Sequence, residues 1–280
     1  MTQEMIRLKR RHFHAYYWED HLNKRLRIDD YLGDIKKMEA EIWAIAKNIN
    51  AEKIIIKCRQ KDICLLLGLG YILEGWIDHY FHGDDAVFMV KYLHSERKEN
   101  ENWNKEEEIL NEVLQSKSKK TVRTKYAKAR KASYSDCERL ANLYKKTFKV
   151  YPVPIHNPFF IKEEMEGGTI YYYIEENGEI ISAASAEINN KYKNAELTDC
   201  ATMPEYRKDG LMKVLLSELE KELCNEGVFT SYSLARALSY GMNKAFFQLD
   251  YQYRGRLTKN CYIYDKLESM NVWVKDLSFQ

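Results

Sequence analysis

The run Cys200-Ala201-Thr202-Met203-Pro204-Glu205-Tyr206-Arg207-Lys208-Asp209-Gly210-Leu211-Met212 constrains this chain more than any other stretch. Residues 196–202 read as a strand. Pro204 and the charged residues after it force a turn. Leu211, Val214, Leu215, Leu219 and Leu223 then fall on one face of a helix over 211–223. A turn that ends in glycine at a helix N-terminus leaves backbone N–H groups free to hold a phosphate. Gly210 would let the backbone approach a pyrophosphate closely, and Lys208 would screen its charge. The alternative is a solvent-exposed turn between a strand and a helix. The other phosphate loops are absent, because the chain holds neither G-x-x-x-x-G-K-[ST] nor G-x-G-x-x-G.

Composition removes several function classes. The 44 basic and 42 acidic side chains leave a net charge of +2, which gives no argument for nucleic acid. No apolar run reaches 18 residues, so no membrane span is expected. Arg7, Lys9, Arg10 and Arg11 are followed by no apolar stretch, so no signal peptide is read. The six cysteines form no C-x-x-C pair and have no histidine at metal-ligand spacing. Reduced thiols, a cytoplasmic location and no metal site are the expectation.

At 280 residues the chain suits one large or two modest domains. A helix is predicted over 31–48, a buried strand over 53–57 and a short helix over 63–69. Strands over 71–80 and 86–93 flank a Gly-Asp-Asp hairpin signal. From residue 94 the composition turns highly charged, which reads as a solvated linker with one short amphipathic helix. The domain boundary is placed at 120/121. The second half opens with a strand near 125–132 and a capping box on Ser135 and Glu138. Residues 151–158 hold three of the four prolines and must be a loop. A short helix to Glu166, a hairpin at Asn177-Gly178, a helix over 239–249 and late strands at 261–264 and 272–274 follow. The halves echo each other: Leu69, Tyr71 and Gly75 line up with Leu249, Tyr251 and Gly255, and Val90-Lys91 lines up with Val274-Lys275. Duplication and coincidence both stay open at this point.

The run from Arg207 to Met212 fits Arg/Gln-x-x-Gly-x-Gly/Ala except at Met212, and so resembles the coenzyme-A loop of the GNAT N-acetyltransferases. The order of elements over 121–280 is also similar to theirs. The resemblance implies a mixed, mostly antiparallel α/β sheet flanked by helices, preceded by a degenerate GNAT-like half over 1–120. It implies acetyl-CoA as co-substrate, held by Ala201, Thr202, Arg207, Lys208, Asp209, Gly210, Leu211, Met212 and Asn243. Amine acetylation also needs a base. Glu196 is the first candidate, as base or ammonium anchor, and Asp199 the second. Three apart on a regular strand, they would face opposite sides unless a bulge intervenes. Phe246 stands where the family often places a tyrosine acid. Tyr240, Tyr251 and Tyr253 lie nearby without a choice among them. Cys200 is conceivable as an acyl carrier, against the simpler reading of a buried thiol.

The loop over 151–158 falls where this fold usually builds its acceptor site, offering Tyr151, His156 and Asn157. Arg236 and Glu268 are further candidates for recognising a zwitterion. Taken together, Tyr-Pro-x-Pro-Ile-His-Asn-Pro, Glu-Leu-Thr-Asp-Cys-Ala-Thr, Ala-Arg-Ala, Gly-Met-Asn and Glu-Ser-Met-Asn-Val-Trp resemble the β-lysine N-acetyltransferases over nearly the whole chain. That resemblance implies direct acetylation of the β-lysine side-chain amine in a ternary complex. It also implies an osmolyte product and a pathway link to lysine 2,3-aminomutase. Another small amine, such as lysine or a polyamine, and a non-catalytic coenzyme-A sensor are the alternatives. Oligomeric state stays open, a homodimer included.

Overall fold

The computed structural model describes residues 5–116, 128–263 and 266–278. The first half runs β1 (Ile6–Lys9), β2 (Phe13–Asp20), β3 (Arg25–Gly33), α1 (Ile35–Asn48), β4 (Lys53–Arg59), α2 (Ile63–Gly68), β5 (Ile72–Phe81) and β6 (Asp84–Tyr92). Helix α3 (Trp103–Gln115) follows. The second half runs β7 (Arg130–Lys131), α4 (Cys137–Thr147), α5 (Pro158–Glu166), β8 (Ile170–Glu176), β9 (Glu179–Asn189), β10 (Asn194–Thr202), α6 (Leu211–Asn225), β11 (Thr230–Arg236), α7 (Tyr240–Gln248), β12 (Gln252–Ile263) and β13 (Lys266–Asp276).

The strands form one mixed sheet in the order β1-β2-β3-β4-β6-β5-β12-β13-β11-β10-β9-β8-β7. Each half contributes the same pattern. β1-β2-β3-β4-β6-β5 matches β8-β9-β10-β11-β13-β12, with α1 and α2 in the places of α6 and α7. Each half has one parallel pair, β3 with β4 and β10 with β11. The halves join edge to edge where Gly75 pairs with Gly255. A side chain at Gly255 would meet the Glu74 carbonyl oxygen at 2.4 Å, and its φ is +124°, so the seam needs glycine there. The two glycines aligned by sequence are the pair that meets.

Helices pack on both faces. Tyr172 on β8 reaches Glu222 of α6, while its neighbour Tyr173 reaches Asp136 at the start of α4. Successive strand residues point to opposite faces, so α6 and α4 lie on opposite sides. Along β13, Trp273 bonds Asn243 of α7, whereas Val272 and Val274 enter a core shared with the first half. That shared core brings Ile55, Tyr80 and Phe81 against Tyr232, Leu257 and Met270. The sheet therefore curls, and one concave face is walled by both halves.

Several elements differ from expectation. Residues 31–33 belong to β3, not to the helix, which starts only after Asp34 accepts from the Lys36 and Lys37 N–H groups. The capping box is built by Ser133 and Asp136, two residues before the Ser135 box. The segment from 94 is no solvated connector, because Leu110 and Val113 of α3 enter the second half's core. Its outer face carries the charge that suggested one. The boundary at 120/121 lies outside the described residues, as does most of the strand expected over 125–132, of which Arg130–Lys131 is seen.

Candidate active site

β10 and β11 pair only from Asn194 to Glu196 against Thr230 to Tyr232, then splay apart. A cavity of 750 Å³ opens in the wedge, and it is the larger of the two described. The Arg207–Gly210 turn closes one end, α7 lies along it, and Leu234, Ile263 and Met270 of the concave face close the other.

The turn has the shape of a phosphate cradle. Lys208 and Gly210 have φ of +79° and +77° around Asp209, and Arg207 Nε donates to the Thr202 carbonyl at 3.2 Å. Gly210, the N-cap of α6, brings no side chain of its own to the helix's first N–H groups. Backbone N–H groups and the helix dipole both favour an anion here. Thr202, Arg207, Lys208, Gly210, Leu211 and Met212 line the cavity. Ala201 and Asp209 do not line it, and Ala201 sits in the core with its carbonyl accepting from Ser182.

Asn243 departs from expectation. It is fully buried, donates to the Arg236 and Ser239 carbonyls, and accepts from Asn271 and Trp273 at 2.8 Å each. Its amide is saturated by protein and leaves nothing for a pantetheine arm. Phe246 lines the cavity, and of the three nearby tyrosines only Tyr240 joins it, with its hydroxyl bonded to Lys244. Tyr251 is buried against Ser231 instead.

The bulge that the two carboxylates required is present. Thr198 pairs with Ser185 and Ala201 with Ala183, so β10 holds one extra residue, and Asp199 has φ +51°. Asp199 Oδ2 accepts from Ser185 Oγ at 2.8 Å and from the Tyr171 hydroxyl at 3.3 Å. Glu196 pairs with Glu187, two residues along β9 from Ser185, so the two candidates share one face. Asp199 lines the cavity, whereas Glu196 lies deeper, towards the first half. Burial pushes Asp199 up to about 6, against hydrogen bonds from Ser185 and Tyr151 that hold it down; Glu164 adds to the rise. Burial and the charges of Glu196, Asp199 and Glu164 push Glu187 well above the usual carboxylate range, opposed by Arg27. Among the described residues the partners of Asp199 are hydroxyls and not cationic side chains, which suits it to receive an ammonium group.

The acceptor loop divides. Tyr151 lines the cavity and hydrogen-bonds Asp199. His156 does not line it, and its buried Nε2 has no partner among the described residues. Asn157 is the N-cap of α5, accepting from the Phe159 N–H at 3.0 Å, with Pro158 in the first turn. Its exposed side chain serves the helix and not the cavity. Arg236 lines the cavity and pairs with buried Glu268 at 2.9 Å, so these two candidates first neutralise each other. Cys200 lines the cavity, but burial pushes its thiol up, so it stays protonated. Among the described residues no group of His, Cys, Asp and Glu could hold a metal, and no helix is long and apolar enough to cross a membrane. Sequence reasoning missed Ser185, Tyr171 and Glu187. Their only sequence signal was their place on the strands flanking Asp199.

A splayed parallel pair, an anion cradle at its mouth and a buried carboxylate on a bulge define an acyl-coenzyme-A-dependent transferase. The family model of Acetyltransferase (GNAT) matches residues 137–249. The chain is 41% identical over 259 residues to N-acetyltransferase YodP of Bacillus subtilis, covering 92% of this chain and 94% of that one. It is 35% identical over 261 residues to Beta-lysine N(6)-acetyltransferase of Methanococcus maripaludis, covering 91% and 93%. A protein of the same name in Methanosarcina mazei is 34% identical over 275 residues, covering 89% and 100%. The chain belongs to the GNAT acetyltransferases: it is an acyltransferase, and acetyl-CoA is its donor. The sensor alternative falls with that assignment.

Proposed function

We propose that this enzyme acetylates the side-chain amine of β-lysine. The observation that carries this is the pair of relatives named for that reaction, each matched over about nine-tenths of the chain or more. The site chemistry supports it. A carboxylate raised to about 6 is a stronger base than a free one and is still mostly ionised at neutral pH. Asp199 is the base, and Glu196 passes from first candidate to ammonium anchor. Arg207, Lys208, Gly210, Leu211 and Met212 hold the coenzyme's phosphates through the turn, with Thr202 beside its arm. Tyr151 orients Asp199, and Arg236 faces the acceptor.

Bound acetyl-CoA supplies an activated acetyl group as a thioester. The residues here do the rest. Asp199 takes a proton from the acceptor ammonium, directly or through one water; the freed amine nitrogen attacks the thioester carbon, the C–N bond forms as the C–S bond breaks, and the nitrogen's surplus proton passes to the departing thiolate. The acceptor carries two ammonium groups and one carboxylate, and acetylation leaves one of each. A net-neutral product suits accumulation as a compatible solute. Its supply requires a reaction that moves lysine's α-amino group to the β-carbon, the chemistry of lysine 2,3-aminomutase.

The test is turnover of acetyl-CoA, read by thiol release, with β-lysine, α-lysine, spermidine and 1,4-diaminopentane. β-Lysine is expected to give the highest kcat/KM, with acetylation at the terminal nitrogen by mass spectrometry. Preference for another amine overturns the acceptor assignment.

A further inference from the structure

β10 carries Asp199 at the cavity and Glu196 deeper, and the core at that end of the cavity is shared with the first half. Lys57 Nζ on β4 lies 5.9 Å from the Tyr232 ring centroid, and Tyr232 pairs with Glu196, so the cluster that Lys57 forms with Asp29 and Arg27 adjoins Glu196 on the same face, with Arg27 on β3 in the field of both Glu196 and Glu187. Arg27 Nε and Nη2 bond one oxygen of Asp29, at 3.2 and 3.1 Å, and its guanidinium lies 5.7 Å from the Trp18 ring centroid. Nη1 has no hydrogen-bond partner among the described residues. Lys57 on β4 takes the other Asp29 oxygen at 3.3 Å. Two cations share this one carboxylate, so neither is paired one to one within the first half. The Arg236–Glu268 pair, by contrast, is one to one.

Arg27 is surrounded by protein, yet 33% of its side chain stays accessible. Glu187 is likewise surrounded and still exposed. Groups that are both crowded and wetted line a cleft and not the outer surface. Along that cleft the order is cation, two carboxylates, then the Asp199 base. Asp199 sits at the bulge beside Ser185, two residues along β9 from the partner of Glu196, so the two carboxylates are separated by roughly 7 Å of strand at about 3.3 Å per residue. A six-carbon amino acid with a carboxylate at one end, an amine two carbons on and a second amine at the far end presents the complementary order.

We propose that Arg27, contributed by the first half, anchors the acceptor's carboxylate, with Glu196 and Glu187 beside it holding the acceptor's inner ammonium group. This deepens the β-lysine reading and rests on it. An arginine fork with a free edge is the group that recognises a carboxylate with direction. The first half, which has no coenzyme turn, thereby sets which amines enter. An enzyme built this way discriminates amino acids from simple diamines.

The experiment compares β-lysine with 1,4-diaminopentane, the same molecule without its carboxylate, in wild type and Arg27→Gln. In the variant, KM for β-lysine is expected to rise about tenfold or more with kcat changed less than about threefold, the mark of lost uniform binding. KM for 1,4-diaminopentane and for acetyl-CoA should stay within about twofold. Equal KM shifts for both acceptors, or none for β-lysine, overturn the proposal. Arg27→Lys keeps charge without the fork and should recover part of the loss; it carries the same comparison if the glutamine variant is poorly folded. If wild type ignores β-lysine but accepts another amino acid, the acceptor assignment fails alone. Arg27 is then judged by the same ratio for that acceptor and its decarboxylated form. If only amines without a carboxylate are accepted, both fail.

Discussion

The two halves share a topology and differ at two equivalent places. In each, the first strand of the parallel pair carries a bulge with an aspartate, and a helix follows. In the first half, Asp29 stands at the bulge of β3 and is gripped by Arg27 and Lys57. Burial would raise it, but the two cations outweigh burial and hold it down to about 2. In the second half, Asp199 meets the hydroxyls of Ser185, Tyr171 and Tyr151 and stands near 6. Only Asp34 separates β3 from α1, and its carboxylate fills the helix N-terminus. Residues 203–210 separate β10 from α6, and the N-cap there is Gly210, which has no side chain to place on the helix N-terminus. One fold thus gives a locked, self-capped copy and one whose aspartate meets hydroxyls and whose cap is glycine. The lesson is that the site lies in what is left unsatisfied, not in the topology.

The comparison breaks most sharply at Asp199. Asp199→Asn removes the base and keeps its shape. Loss of a positioned base lowers kcat by about 10² to 10⁴. Because the carboxylate must be ionised to act, wild-type kcat should fall as pH drops through about 6, and the variant's residual rate should lose that limb. A pH–rate series measures both. A variant within a few-fold of wild type would move the base elsewhere.

The helix caps give the next largest effect. Gly210→Asp transplants the first half's device, and aspartate tolerates the left-handed conformation at φ +77° better than most residues. Its carboxylate would compete for the N–H groups meant for phosphate. Acetyl-CoA affinity by calorimetry should fall about 100-fold, roughly 2.7 kcal/mol, with the melting temperature little changed. Unchanged affinity would reduce the turn to a connection.

Legibility in the sequence follows the range of the forces involved. The turn and helix over 203–223 were readable because proline, glycine and a heptad-like leucine face act locally. The Asn177-Gly178 hairpin was readable for the same reason, with φ of +51° and +82° at the two residues. The bulge was not, because whether Asp199 is extra depends on what Ser185 and Ala183 pair with across the sheet. In β2 the alternation of buried Phe13, Ala15 and Tyr17 is masked because the positions between them, His14, Tyr16 and Trp18, are aromatic too and half-buried, so no polar face stands out in the sequence. In the sequence Asn157 and Asn243 read as ligand contacts, because a polar residue near a site has the same letter whether its amide is spent on a helix end or a buried network or is free. Only the partner list tells the two apart. The Gly75 and Gly255 alignment was visible as a repeat, but its meaning needed the seam.

The smallest expected effect concerns Cys200, which neighbours Asp199 and lines the same cavity. Both sit at one bulge, yet burial acts on them in opposite senses for chemistry. It makes the carboxylate a better base while leaving it ionised at neutral pH, and it pushes the thiol up so that the nucleophilic thiolate is scarce. The Asp199 charge next door adds to that rise. Direct transfer to the amine therefore needs nothing from sulfur. Cys200→Ala should keep kcat/KM within about twofold, with at most a modest loss of stability from the small cavity left behind. Acid-quenched enzyme after incubation with acetyl-CoA alone should show no acetyl adduct by mass spectrometry. A stable adduct on Cys200, or a collapse of turnover in the variant, would replace the ternary complex with an acyl-enzyme and make the thiol, not the carboxylate, the group that distinguishes the second half from the first.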